Sequence, residues 1–145
     1  MRNDSPEWIQ AKEQGDAGEL RAVRVWDRCG FMAYIRPGPN AHDLLAQATV
    51  EVKRDLRSLI TGHAAIEVAY RGRPSGLVKS EAALWQIDTG AEVFILMTAR
   101  LREVVNGGPF RHVRGGDRGL SDLILVPLAE LRRSALFVVP GEVRF

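Results

Sequence analysis

The chain has 145 residues, 46% of them hydrophobic, with 20 basic and 18 acidic residues and a formal net charge of +2. That length and hydrophobic content can bury one core, so we expect a single domain over residues 1–145. No apolar run is long enough to span a bilayer and residues 1–5 lead into no signal segment, which predicts a soluble, cytoplasmic protein with no membrane partner.

The first predicted element is an amphipathic helix over residues 16–29. Asp16 suits the N-cap position and Gly30 suits the C-terminal stop. The apolar stripe of this helix comprises Leu20, Ala22, Val23, Val25 and Trp26. Residues 31–35 are then expected to form a strand. Cys29 is expected to be a packing residue, since a single cysteine excludes an intramolecular disulfide and a cysteine-based zinc site.

Two further strands are predicted around two acids and a lysine. Residues 49–53, Thr-Val-Glu-Val-Lys, alternate polar and apolar side chains with the period of a half-buried strand. Glu51 and Lys53 therefore share one face, about 6.5 Å apart along the strand. Residues 42–45 are strand-like and residues 46–48 could turn the chain back, so we expect a hairpin that brings Asp43 beside Glu51.

These residue types suit a divalent metal site. Magnesium takes oxygen ligands at about 2.1 Å and is usually held by one or two carboxylates with water and substrate phosphate. Asp43 and Glu51 can supply the carboxylates, and Lys53 can stabilise negative charge on a phosphate or activate metal-bound water. The alternative is that Glu51 and Lys53 are an ordinary opposite-charge pair on an exposed strand face.

The remaining elements interleave strands and helices, which predicts an α/β fold with helices on the sheet. Strands are expected at residues 64–70, 93–97 and 123–126, and helices at residues 80–86, 98–105 and 128–133. Residues 107–122 are expected to form a flexible loop rich in glycine and arginine. Trp8, Trp26 and Trp85 are expected to anchor the core, although Trp85 could lie near the site.

Two polar residues downstream are candidates for supporting the site. Glu67, between Ile66 and Val68, either faces solvent or holds Lys53 or a metal-bound water. Ser75 is expected in a loop, because glycine and proline surround it.

Basic side chains are frequent downstream of the acids, and arginines on glycine-rich backbone suit phosphate contact. The alternative is that each is a solvated loop residue. The candidate nucleic-acid contacts are Arg36, Arg54, Arg57, Arg71, Arg73, Lys79, Arg111, Arg114 and Arg118. Other chemistries find no support, because the three histidines have no ligand spacing and no phosphate-binding loop motif is present.

The order of elements resembles the PD-(D/E)XK nuclease superfamily: a helix with Glu19, a strand, a strand with Asp43, and a strand with an acid-x-lysine element. The resemblance implies a restriction-endonuclease-like domain whose central mixed sheet is flanked by helices. It also implies magnesium, replaceable by manganese, held by Asp43, Glu51, the Val52 carbonyl and Glu19. Those acids and Lys53 would form the catalytic set for phosphodiester hydrolysis.

Similar patterns at residues 66–77, 82–85, 115–117 and 125–128 extend this resemblance to small nucleases of phages and mobile elements. His42 stands where the motif has proline, which is not a ligand. Archaeal Holliday-junction resolvases share the Gly-x-x-x-Glu helix and an arginine at a strand end, here Arg36. Those resolvases carry a serine in the loop before the aspartate. In this chain the corresponding residues 37–41 are Pro-Gly-Pro-Asn-Ala, which include no serine.

The sequence therefore predicts a magnesium-dependent DNA endonuclease. Two alternatives remain open: a non-catalytic nucleic-acid-binding module on the same fold, and a nuclease directed at junctions or RNA. Clustered carboxylates repel phosphate in the absence of metal, which favours the enzyme. Duplex-cutting enzymes of the superfamily often dimerise, so a homodimer is a further expectation.

Overall fold

The computed structural model describes residues 5–36 and 44–142, so the predictions for His42 and Asp43 lie outside the described residues. Contacts divide the chain into two compact units between Ala48 and Thr49. A single domain over the whole chain stays a prediction.

The first unit contains helix α1 (Pro6–Arg28) and strands β1 (Met32–Ile35) and β2 (Leu44–Gln47). The second unit contains strands β3 (Val50–Arg54), β4 (His63–Tyr70), β5 (Arg73–Pro74), β6 (Leu84–Asp88), β7 (Glu92–Met97), β8 (Arg111–Gly115), β9 (Ser121–Pro127) and β10 (Phe137–Pro140). Its helices are α2 (Ser58–Thr61), α3 (Thr98–Gly107) and α4 (Leu128–Ser134), with single 3-10 turns at Gly76–Val78 and Asp117–Gly119.

Helix α1 begins earlier than predicted. Ser5 is its N-cap and accepts a hydrogen bond from the Trp8 N–H at 3.3 Å, and a proline follows at the first helical turn. The helix begins here because Ser5 satisfies a free backbone N–H and Pro6 already has a helical φ angle. The helix ends at Arg28 as predicted, with Gly30 at a φ of 85°.

The predicted hairpin between residues 42–45 and 49–53 is wrong. Strand β2 pairs antiparallel with β1, whereas β3 pairs parallel with β6 in the second unit. Alternation identified β3, and a strand-like run indicated β2, but such local patterns carry no information about which strand is the partner. The strand predicted at residues 31–35 is confirmed as β1.

Two four-stranded sheets form the second unit. The first has the order β10-β7-β6-β3 and is mixed, because β3 runs parallel to β6 while the other pairs are antiparallel. The second has the order β5-β4-β9-β8 and is antiparallel throughout. The α/β class is therefore confirmed.

One buried cluster joins both sheets to helices α3 and α4. Its members include Ile66, Trp85, Phe94, Leu96, Leu101, Val126 and Leu131. Trp85 is only 1% exposed, as expected of a core anchor. Trp8 and Trp26 are 44% and 40% exposed, so the same prediction is wrong for them.

Two segments differ from the predicted elements. The predicted helix at residues 80–86 is wrong, because residues 84–88 form the strand β6. Residues 85–88, Trp-Gln-Ile-Asp, alternate apolar and polar side chains, which is the strand signal that the helix prediction overlooked. Residues 107–122 include strand β8, paired with β9 from Arg111 to Gly115, instead of forming one flexible loop. The glycines of this segment have low strand propensity, so the sequence did not indicate a strand that pairing with β9 stabilises.

The other elements predicted downstream of β3 are confirmed: strands at residues 64–70, 93–97 and 123–126, and helices at residues 98–105 and 128–133. Strand β10 and the short helix α2 were not predicted. Among the helices within residues 5–36 and 44–142, none is long and apolar enough to cross a membrane.

Candidate active site

Strand β3 presents Glu51 and Lys53 on one face, as its alternation predicts. Lys53 Nζ lies 2.6 Å from Glu51 Oε1, and the two side chains are 46% and 40% exposed. An exposed ion pair of this kind contributes at most about 1 kcal/mol to stability. No partner for Glu51 Oε2 occurs within residues 5–36 and 44–142, which leaves that oxygen available to a cation.

The Val52 carbonyl points to the open edge of β3. Leu84 N donates to Thr49 O at 3.0 Å. Asp55 N donates to Asp88 O at 2.8 Å. Because strand pairing uses alternate residues, the odd-numbered residues of β3 bond to β6 and Val52 bonds away from it. Strand β3 is the last strand of its sheet in the described part of the second unit, so no neighbouring strand there uses this carbonyl.

The valines of β3 lie on the opposite face from Glu51 and Lys53, but they are not buried. Val50 is 46% exposed and Val52 is 60% exposed. Ile95 and Phe137 follow on the same sheet face across β7 and β10, and Phe137 is 62% exposed. The alternation therefore identified the strand correctly and overstated the burial of its apolar side.

Lys53 lies over the ring of Trp85, with Nζ 5.7 Å from the ring centroid. Trp85 Nε1 donates to Ser80 Oγ at 3.0 Å. Arg102 of α3 donates in turn to the Ser80 carbonyl at 2.7 Å and to the Leu77 carbonyl at 3.1 Å. Packing and hydrogen bonds therefore fix the ring, and its face attracts the ammonium group through a cation–π interaction.

The contact between Lys53 and Trp85 can be tested without any activity. Ring currents should shift the Lys53 Hε resonances upfield in the parent protein, and Trp85→Leu should abolish that shift. Trp85→Phe keeps an aromatic face and should retain a reduced shift, although it loses the hydrogen bond to Ser80. The measurement is a lysine-labelled proton–carbon NMR spectrum, assigned with Lys53→Arg. Identical Lys53 signals in the parent and in a folded Trp85→Leu variant would contradict the contact.

The other two acids of the predicted set do not belong to the second unit, which holds Glu51. Glu19 is half-buried in α1 of the first unit, and Asp43 lies outside the described residues. Within residues 5–36 and 44–142, no group of three His, Cys, Asp or Glu side chains is positioned to hold a metal ion. The structure therefore brings together Glu51, Val52 and Lys53, and convergence of Glu19 and Asp43 on them stays a prediction.

Glu67 is held by two serines. Ser75 Oγ donates to Oε1 at 2.8 Å, and Ser121 Oγ donates to Oε2 at 2.7 Å. Gly76, with a φ of 50°, packs so closely that an added Cβ would lie 2.2 Å from the Glu67 carbonyl oxygen. Glu67 thus links β4 to the following turn and to β9, a role that differs from both solvent exposure and contact with Lys53. Nothing in the sequence indicated Ser121.

The candidate basic residues differ in whether they already have partners. Arg54 and Arg114 lie near Asp88 and Asp122, at 3.8 Å and 3.4 Å. Arg36 lies in the first unit and has an interaction of its own. The side chains with no hydrogen-bond or ion-pair partner in the described ranges are Arg57, Arg71, Arg73, Lys79, Arg111 and Arg118. These six can contact phosphate without breaking an existing pair.

Three of the unpaired arginines lie on two turns at one end of the antiparallel sheet. Arg71 and Arg118 have φ angles of 51° and 56°, the only positive values outside glycine in residues 5–36 and 44–142. Arg71 N donates to Leu120 O at 2.9 Å, which brings the two turns together. Arg73 follows at the start of β5, and Arg71 also lies over the Tyr70 ring at 5.4 Å. Both turns therefore adopt a left-handed backbone at an arginine, a conformation that is uncommon outside glycine.

No protein-family model, curated protein or solved structure matches this chain. The features of this chain that indicate a function are the geometry of β3, the unpaired cations and the motif around Glu51 and Lys53.

Proposed function

We propose that this chain is a metal-dependent DNA endonuclease with a restriction-endonuclease-like fold. The observation that supports it most is the arrangement on β3: a half-exposed carboxylate with one free oxygen, a backbone carbonyl at an open strand edge, and a lysine fixed by an aromatic ring. These groups belong to three consecutive residues, Glu51, Val52 and Lys53, of the edge strand β3.

The donor set fits a hard divalent cation. Glu51 offers a carboxylate oxygen and Val52 a carbonyl oxygen, and magnesium and manganese prefer oxygen ligands. Asp43, and Glu19 by the resemblance, would complete the set. When bound, the metal supplies charge stabilisation at the phosphate and lowers the pKa of a coordinated water.

Lys53 has the role of an electrostatic catalyst. Its ammonium group is positively charged and is held on the same face as Glu51. In that position it can stabilise the negative charge that develops on phosphate oxygens as the phosphodiester bond breaks. Two such sites would let the protein cut both strands of a duplex in one binding event, which is the reason to expect a homodimer. We expect it to act on DNA in the cytoplasm.

The proposal is tested by incubating the protein with plasmid, linear duplex, single-stranded and four-way-junction DNA, in magnesium and in manganese. We expect metal-dependent cleavage that EDTA abolishes. The pattern of substrates then distinguishes a general endonuclease from a junction-specific one, and a matched RNA set tests the remaining alternative. Cleavage that persists in EDTA would contradict the metal site.

The second candidate function is a non-catalytic nucleic-acid-binding module on the same fold. The observation that favours it is the pair of arginine turns, because Arg71, Arg73 and Arg118 could hold a phosphate backbone without any metal.

Replacing Arg71 and Arg73 together by alanine should weaken duplex binding while leaving the metal site intact. Each lost phosphate contact flattens the dependence of log affinity on log salt by about 0.9, so the double variant should lose about 1.8 from the slope. Fluorescence anisotropy over a salt series measures this. The matched control is Arg100→Ala with Arg133→Ala, because both arginines are exposed but paired with Glu103 and Glu130. Equal slopes for the two double variants would exclude the arginine turns as a binding site.

A further inference from the structure

A groove crosses the open face of the antiparallel sheet in the second unit. It consists of two adjoining cavities of about 310 and 500 Å³ that share Thr61, His63 and Leu125. The register places Ala65, Leu125 and Arg111 side by side across β4, β9 and β8, so these side chains share the groove face. The floor of the groove is apolar and consists of Ala65, Val113, Leu123 and Leu125.

Unpaired cations line both cavities. Arg57 lines the smaller cavity and Arg111 lines the larger one. Both are exposed, and neither guanidinium has a partner within residues 5–36 and 44–142. Strands β4 and β8 flank β9, so the floor is about 10 Å wide between their backbones. Arg114 also lines the groove, but it is occupied by Asp122.

His63 adds a polar group whose orientation is set. Its Nδ1 lies 2.7 Å from the Thr61 carbonyl oxygen, and a carbonyl can only accept, so Nδ1 donates that hydrogen bond. Nε2 is left for a ligand. The one carboxylate in the groove, Asp55, already accepts from Ser58 N at 3.1 Å and from Ala65 N at 2.9 Å. These backbone donors reduce its repulsion of an anion.

We propose that this groove binds a segment of single-stranded nucleic acid. Arg57 and Arg111 suit two phosphates, and the floor with the half-buried Phe110 suits the faces of unpaired bases. A duplex offers its phosphates to such a groove but keeps its bases stacked inside, so the apolar floor would stay unused. Charge and floor together therefore favour a single strand.

The position of the groove relates it to β3. Asp55, which lines the groove, directly follows the strand that carries Lys53. A single strand bound here is a flanking part of the substrate, an interpretation that rests on the proposed function. The binding itself is independent of cleavage, so it can be measured with metal removed.

The test is fluorescence anisotropy in EDTA with a short labelled oligo-dT and with a duplex of the same length. Arg57→Ala with Arg111→Ala should weaken oligo-dT binding at least tenfold and flatten its salt slope by about 1.4, because each phosphate contact on a single strand contributes about 0.7. Ala65→Gln fills the floor at an exposed position without changing the charge, and it should weaken oligo-dT binding and leave duplex binding unchanged. Arg100→Ala with Arg133→Ala is again the matched control.

The outcomes distinguish the groove proposal from the nuclease proposal. Equal oligo-dT binding by the Arg57→Ala, Arg111→Ala variant and the control, or equal losses of oligo-dT and duplex binding in Ala65→Gln, would overturn the single-strand assignment. A parent protein that cleaves DNA but does not bind oligo-dT would overturn the groove and leave the nuclease proposal intact. A parent protein that binds oligo-dT through Arg57 and Arg111 but cleaves nothing would retain the groove and overturn the nuclease proposal.

Discussion

Lys53→Ala is expected to lower the rate of metal-dependent DNA cleavage by at least ~100-fold, the scale of losing one positioned electrostatic group. The physical reason is the geometry of β3, where the Lys53 ammonium lies on the same face as Glu51 and over the fixed ring of Trp85. Single-turnover cleavage at saturating metal measures the chemical step directly.

Folding of this variant should be preserved. The Lys53 side chain is 46% exposed, and an exposed ion pair contributes at most about 1 kcal/mol, so the unfolding midpoint should change little. Arg100→Ala removes the same charge from an exposed pair in α3 and serves as the control. Lys53→Arg should recover only part of the rate, because the planar guanidinium cannot occupy the position of a compact ammonium. A folded Lys53→Ala variant that cuts as fast as the parent would make Lys53 a surface charge only.

The sequence predicted the local structure around β3 and failed on its long-range pairing. Period-2 alternation over residues 49–53 correctly placed Glu51 and Lys53 on one face, because side-chain direction in a strand is a local property. The expected partner strand was wrong, because β3 pairs with β6, which lies about 30 residues further along the chain. Local patterns do not encode which of several strands supplies the partner.

The difference between local patterns and long-range pairing also explains which residues the sequence did not indicate. Trp85 was expected in a helix, yet as part of a buried strand it lies opposite Glu51 and contacts Lys53. The role of Ser121 could not be predicted from local sequence, because it is a hydrogen bond to Glu67, which lies 54 residues earlier in the chain. The arginine turns were partly predictable, since glycine-rich backbone near Arg71 and Arg118 indicated turns. Their proximity depends on the pairing of β4 with β9.

Glu51→Gln is expected to abolish metal-dependent cleavage while DNA binding in metal-free buffer is retained or becomes tighter. The substitution keeps the shape of the side chain and removes a carboxylate oxygen that has no partner within residues 5–36 and 44–142. Loss of a charged ligand weakens magnesium binding, and loss of a negative charge near phosphate reduces repulsion of DNA. Asp43→Asn should have the same two effects if Asp43 completes the ligand set.

The measurement pairs cleavage in magnesium and manganese with anisotropy in EDTA, and Glu103→Gln is the control because Glu103 is an exposed carboxylate paired with Arg100. A non-catalytic binding module predicts no difference between Glu51→Gln and that control in any metal, whereas a nuclease predicts opposite changes in cutting and binding. We expect a loss of cleavage of at least ~100-fold, the scale found when a metal or an oxyanion stabiliser is removed. If Glu51→Gln cleaves as well as the parent, the carboxylate on β3 is not a metal ligand. If the parent protein cleaves no form of DNA with either metal, the binding module is the better account, because the unpaired arginines need no metal to hold a phosphate backbone.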